Sequence, residues 1–466
     1  MSNTIIPVKL GEQREGVVID VLYTGLGVIM VDDYPIHLEN AFEGEKILFE
    51  VTQVNRKFGR AKVVEILEAS PDRVASGKDY LLEAGIAPYV NLAYDAQLRL
   101  KQQQVQKLYK EYGIDVDVAP TIGMDNPTHY RNKTVVPVKY VDGKLTTGFI
   151  KKRTPGDIVP LDDYFVNDEK IDQIIGIVRD ILDAHKVSVF DDDTQEGEMR
   201  YIMVRRGYYS HEVMVVLVTQ TATLTDEDAI AADIAEAVDG IKSIILNHNP
   251  RSLHVLTSGD NRTLWGADAI HDKLLDIDFE IGPNSFYQVN PQTTETLYQL
   301  AADKAGLNGD EEVIDAYSGI GTISLTIADR VKSVLGVEIV PGAVDDAKRN
   351  ADINGVTNAK FELGKAEEKM VEWHDAGMRP DVIFVDPPRK GLTPELIDAA
   401  TGMEPEKFVY ISCNPATLAR DTVQILENGY HIEGPVQPID QFPQTTHIES
   451  CLLYTSDAAD DLIGVD

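Results

Sequence analysis

The chain has 466 residues, a formal charge of −34, 43% hydrophobic residues and two cysteines. Its length accommodates two to four domains of roughly 100–200 residues, no apolar run approaches the roughly 18 residues of a membrane span, and two cysteines exclude a disulfide framework or a thiolate cage for iron–sulfur or zinc. The acidic excess excludes broad non-specific binding to nucleic acid, which is driven by counterion release from phosphate.

The opening, MSNTIIPVKLGEQREG, has no basic start followed by an apolar core, so a secretory signal is not expected and the cytoplasm is. Residues 1–70 read as short alternating strands broken by Thr-Gly-Leu-Gly and Gly44, the pattern of a small barrel of the oligonucleotide-binding kind. SPDRV (Ser70–Val74) marks a boundary. A helix is predicted over Tyr94–Tyr112, with Leu98, Val105, Leu108 and Tyr112 on one face. From about Pro120 to Ser258 the pattern is mixed α+β, with helices in DQIIGIVRDILDAHK and DEDAIAADIAEAVDGIKSI. Local basic clusters lie at Asn55–Lys62, His129–Thr134, Ile150–Arg153 and Val204–Gly207. From about Phe279, apolar strands alternate with amphipathic helices, which predicts a parallel, doubly wound sheet.

In that half, VIDAYSGIGTISLTIA (Val313–Ala328) reads as a strand, a tight glycine loop and a helix. Gly319 and Gly321 permit a sharp turn and a close approach to a ligand. Glu338 ends the next strand, where an acid accepts both ribose hydroxyls of an adenosine. Gly-x-Gly without a third glycine, plus that acid, favours S-adenosylmethionine over NAD. IFVDPPRKGL (Ile383–Leu392) holds Asp386 at another strand end, followed by two stiffening prolines and Arg389. YISCNPATLARD (Tyr410–Asp421) places Cys413 after a third strand. Tyr317, Glu338, Asp386 and Cys413 thus share the C-terminal edge of the predicted sheet, where open α/β sheets bind ligands. In DQFPQTTHIES (Asp440–Ser450), His447 and Glu449 are two apart and share a face if extended.

SFYQVN (Ser285–Asn290), DAYSGIGT, DPPRKGL, SCNPATLARD and DQFPQTTHIE, in this order, resemble the RNA uracil-5-methyltransferases. HYRNK (His129–Lys133) looks like the signature of that family's central domain, and the opening strands look like its TRAM domain. The resemblance implies a Rossmann-like S-adenosylmethionine methyltransferase domain over 276–454, a central RNA-binding α+β domain over 71–275 and a TRAM/OB-like barrel over 1–70. It implies Cys413 as nucleophile and Glu449 as base. It implies Gln288, Tyr317, Gly319, Glu338 and Asp386 around the cofactor and target base. Arg131, Asn132, Lys133, Phe286, Arg389 and His447 are the expected RNA contacts, with Tyr287 a second stacking candidate. The chemistry needs these residue types: a thiolate adds to carbon 6 of uracil and makes carbon 5 nucleophilic, and a base then removes the carbon 5 proton.

Many relatives carry a four-cysteine cluster after the barrel; this chain has no cysteine there, as in the cluster-free Gram-positive branch. A barrel with a central domain points to 23S rRNA. The alternatives are a tRNA uridine, or a non-catalytic RNA-binding assembly factor. A monomer without metal is expected. CLLYTSDAADDLIGVD (451–466) resembles a translated sequencing adapter, so it is read as a non-native tail and Cys451 is given no functional weight.

Overall fold

The computed structural model describes residues 6–152, 154, 156–250 and 259–456. Arg153 of the third basic cluster and the last acids of the terminal segment lie outside the described residues.

Six strands between Gln13 and Glu68 form one sheet around a core that includes Ile36, Leu38, Ile47 and Phe49. The glycine-rich turn of this unit reaches the C-terminal half. Gly25 has φ +82°, and a Cβ there would lie 2.5 Å from Thr446 Cγ2, so only glycine permits this approach.

The helix Tyr94–Glu111 matches its predicted bounds, but its buried face differs from the predicted one. Tyr112 is 44% exposed, whereas Gln97, Lys101 and Gln104 are almost fully buried beside Leu100, Val105 and Leu108. The helix packs on the helix Pro415–Glu427 and the strand Tyr430–Ile439, and its apolar residues join the core of the C-terminal half. Segment 118–122 continues this docking, with parallel bridges Val118–Val436 and Ile122–Ile439.

The central unit is a seven-stranded sheet. The helices Glu169–Ala184 and Glu227–Ala237 pack against it. The helix expected to run on through Ile244 stops at Ala237, because Gly240 turns at φ +77° and Ile241–His248 enters the sheet.

The C-terminal half contains a second seven-stranded sheet. In spatial order its strands are Ala359–Leu363, Ser333–Glu338, Glu312–Ala316, Val382–Val385, Lys407–Ser412, Glu449–Ser456 and Tyr430–Ile439. The first five pair in parallel, as the alternating pattern predicts. The strand Glu449–Ser456, the last along the described chain, inserts antiparallel between two earlier ones. That strand contains Cys451, Leu452, Leu453 and Tyr454, all buried, with Cys451 opposite Ile411. Cys451 is thus buried in the core of this sheet, although the sequence places it at the start of the segment read as a non-native tail. The strand's β-favouring apolar run pairs on both sides and buries both faces.

A buried ion pair locks the linker helix to this sheet. Lys101 Nζ donates to Asp440 Oδ1 at 2.6 Å, with both side chains fully buried. Lys101→Met leaves the Asp440 carboxylate buried and unpaired, and is expected to cost about 3–5 kcal/mol of unfolding free energy. Adding Asp440→Leu is expected to restore most of it, read by urea titration of both chains. A single variant as stable as the parent contradicts this role for the pair.

Candidate active site

The parallel strands deliver their ends to one edge. Asp315 is fully buried near the end of its strand, and Tyr317, Gly319 and Gly321 follow with φ +70°, +55° and +87°. A tyrosine in the left-handed region is strained backbone, a feature that clusters at ligand sites. Glu338 holds the loop: its Oε2 accepts from Gly319 N at 3.1 Å and its Oε1 from Val340 N at 2.8 Å. A Cβ on Gly319 would meet no atom within 4 Å, so the loop borders open space. Asp315 Oδ1 and Ser318 Oγ are buried there without a hydrogen-bond partner. A cradle of this shape, with unsatisfied polar atoms and an acid on the next strand, fits an adenosine-bearing cofactor.

Cys413 is half-buried just past Ser412, the last residue of its strand. The Asn-Pro that follows starts the next helix. Asn414 Oδ1 accepts from Ala416 N at 3.2 Å, and Pro415 takes the first turn, where its missing N–H is harmless. Asn414 Nδ2 also donates to the Arg389 carbonyl at 2.9 Å, tying the thiol turn to the DPPR turn.

Glu449 reaches the same edge from the opposite direction. In the antiparallel ladder Ser412 pairs with Ser450. Cys413 follows that last pair on one chain segment and Glu449 precedes it on the other, so both lie at the same end of the ladder. Glu449 is 4% exposed.

The electrostatics of these groups are coupled. Burial pushes the Cys413 thiol up to about 12, helped by the charges of Glu449 and Asp386 and opposed by Arg389. Burial and then Asp386 push Glu449 well above the carboxylate range, again against Arg389. Burial and then Asp315 push Asp386 up to about 7. These acids sit too close in a poor dielectric for all to ionise together. Arg389 donates to His447 Nδ1 at 3.1 Å, and burial with the charges of Arg389, Lys101 and Arg131 holds His447 down to about 4, hence neutral.

The remaining expected residues divide. Gln288 is buried beside Tyr298. Phe286 is 65% exposed, whereas Tyr287 is a core residue whose hydroxyl donates to the Lys273 carbonyl. Arg131 and Lys133 are half-buried. Asn132 does not offer its side chain to RNA: it is 5% exposed and donates to the Gln288 carbonyl at 3.2 Å, while its N–H donates to Val289 O. Alternation along an extended chain turns it inward between its two basic neighbours. Sequence reasoning missed Gln97, Lys101, Gln441 and Gln444, which hold the 440–447 loop. Gln97 and Gln444 bond reciprocally at 3.0 Å, and Gln441 bonds Thr293 and Thr294. The signal was present, since Gln97, Lys101 and Gln104 recur at helical spacing on one face.

The doubly wound sheet, the glycine loop and the strand-end acid define a nucleotide-cofactor methyltransferase domain. Residues 93–457 match the family model described as tRNA (Uracil-5-)-methyltransferase, so the chain belongs to that family of RNA uracil-5-methyltransferases. A protein named as an uncharacterized RNA methyltransferase from Lactiplantibacillus plantarum is 51% identical over 96% of this chain and 97% of its own. One of the same name from Enterococcus faecalis is 44% identical over 96% and 98%. The crystal structure of Pyrococcus abyssi tRNA (uracil-54, C5)-methyltransferase in complex with S-adenosyl-L-homocysteine aligns with TM-score 0.75 and 28% identity, over 95% of this chain and 100% of that one. The protein is an S-adenosyl-L-methionine-dependent RNA uracil-5-methyltransferase.

The raised thiol has a direct consequence. In the RNA-free protein at pH 7.5, iodoacetamide is expected to label Cys413 at least about tenfold more slowly than a free thiol. The rate should still climb at pH 10, followed by mass spectrometry of the labelled peptide. A plateau near pH 8.5 contradicts the desolvated thiol.

Proposed function

We propose that this enzyme methylates carbon 5 of specific uridines in 23S rRNA through a covalent bond between Cys413 and the uracil. The observation that supports this is the antiparallel register that ends at Ser412 and Ser450, next to Cys413 and Glu449, together with the mutual electrostatic influence of those two groups. Gln288, Tyr317, Gly319, Glu338 and Asp386 hold the cofactor and target base, and residues 1–70 serve as a TRAM/OB-like RNA-binding module. The uridine leaves its stack to reach this recess, and exposed Phe286 offers a ring for a base to stack on. Arg389, the cation acting on both Cys413 and Glu449, opposes the burial that keeps them neutral and so favours the thiolate and the carboxylate, the two forms the reaction uses. The Cys413 thiolate forms a bond to carbon 6, and the electron pair of the carbon 5–carbon 6 double bond moves toward carbon 5 as an enolate. S-adenosyl-L-methionine, when bound, supplies a methyl group on a sulfonium centre, which carbon 5 takes as that sulfur–carbon bond breaks. Glu449 then removes the proton from carbon 5. The double bond re-forms as the bond from Cys413 to carbon 6 breaks, releasing the thiolate.

The 23S rRNA assignment rests on the two non-catalytic units and the cluster-free linker. A tRNA uridine is the second reading, because the archaeal tRNA enzyme aligns along its whole length with this chain. The test supplies both RNAs with 5-fluorouridine, whose fluorine cannot leave as a proton. With S-adenosyl-L-methionine, a band shifted on a denaturing gel is expected with 23S fragments, and its loss in Cys413→Ala. A band with tRNA alone moves the target to tRNA. No band with either RNA, from a protein that binds the cofactor, overturns the covalent route.

A further inference from the structure

The helix Pro415–Glu427, which begins just after Cys413, carries Arg420 and Asp421, and the mechanism above uses neither. Asp421 is 3% exposed, and a carboxylate is costly to bury unless it is well bonded. Its Oδ2 accepts from Leu392 N at 2.8 Å and from the Tyr410 hydroxyl at 2.7 Å, and its Oδ1 accepts from Arg420 Nε at 2.7 Å. One carboxylate thus ties together the strand that ends beside the thiol, the helix that starts beside it and the turn that follows Asp386.

The same helix grips that turn by its backbone. Arg420 donates to the carbonyls of Lys390 at 3.0 Å and Leu392 at 3.2 Å. Asn414 donates to the Arg389 carbonyl at 2.9 Å, and the Thr417 hydroxyl donates to the same oxygen at 3.4 Å. Gly391 passes so close that a Cβ there would lie 2.5 Å from Asp421 Oδ2 and 2.7 Å from Arg420 Nη2.

The side chain that this placement serves is Arg389. It is exposed, so packing does not confine its many rotamers. It donates to His447 Nδ1 at 3.1 Å, and its charge acts on both Cys413 and Glu449. Attraction between charges falls with distance and with solvent between them, so a guanidinium swung into water gives the thiol little. What holds it near is the backbone of its turn together with the His447 ring.

We propose that Asp421, assisted by Arg420, is a positioning residue for the methyl transfer: it fixes the Arg389 turn so that the guanidinium stays beside Cys413 and Glu449. It rests on the reading of Cys413 as the nucleophile. Asp421 acts through Arg389 and needs no contact of its own with RNA or cofactor.

The test compares the full chain with Asp421→Asn, Arg389→Gln and the double variant. The RNA carries 5-fluorouridine and is the 23S fragment or the tRNA, whichever the parent accepts. Single-turnover adduct formation is expected to slow about 10- to 100-fold in Asp421→Asn, the scale set by small misplacements at a reacting centre. The double variant is expected to be no slower than Arg389→Gln, because residues acting as one unit do not add. Affinity for S-adenosyl-L-methionine stays near the parent value, since the paired strand and two prolines hold Asp386 ahead of the turn. In the RNA-free protein at pH 10, iodoacetamide is expected to label Cys413 about threefold more slowly in Asp421→Asn and in Arg389→Gln, as less of the thiol is ionised. A merely loosened structure would expose the thiol and speed labelling, and loss of the acid's own charge would act in that direction too. Should Asp421→Asn not fold, Arg420→Lys decides alone: it keeps a charge beside Asp421, gives up the fork that reaches two carbonyls, and is expected to slow adduct formation about fivefold. Adduct formation at the parent rate, faster labelling, or a double variant whose loss is the product of the two single losses overturns the positioning role and leaves the nucleophile standing. A parent that forms no adduct overturns the reading of Cys413 and this role with it.

Discussion

The antiparallel register between Lys407–Ser412 and Glu449–Ser456 is the constraint on which the site depends. Side chains alternate along a strand, so a slip of one residue turns Glu449 to the other face and away from Cys413. Both faces of this strand are buried, which makes the register costly to change. The inserted strand also closes the sheet between two partners, leaving its backbone groups paired on both sides.

What feeds that strand is a loop held from every direction. Lys101 and Gln97 reach it from the linker helix, Tyr130 donates to Pro443 O, and Asn290 donates to Gln441 O. Gly25 from the first sheet touches Thr446. These are mostly hydrogen bonds between buried groups, each expensive to leave unmade. Their combined effect is that the first sheet, the central sheet and the linker all set the position of His447 and Glu449. Units expected to serve RNA binding therefore also hold the chemistry in place.

Charge is distributed in the same way. The body is strongly acidic, yet the acids at the catalytic edge are pushed toward their neutral forms by burial and mutual repulsion. Beside those acids the charges that oppose them are local: Arg389 acts on the thiol, and Arg131 acts on His447.

The amino-acid sequence by itself determined the doubly wound half, because apolar strands alternating with amphipathic helices admit few other packings. It also determined the strand-end chemistry, since Gly319, Glu338, Asp386 and Cys413 each follow a short apolar run whose end is legible locally. Tertiary structure alone decided the rest. The direction of the final strand, the burial of Cys451, the inward turn of Asn132 and the burial of Gln97 and Lys101 all arise from partners far away in the chain. Periodicity reports which residues share a face, not what that face meets. A polar stripe reads as solvated until a distant loop supplies its hydrogen bonds.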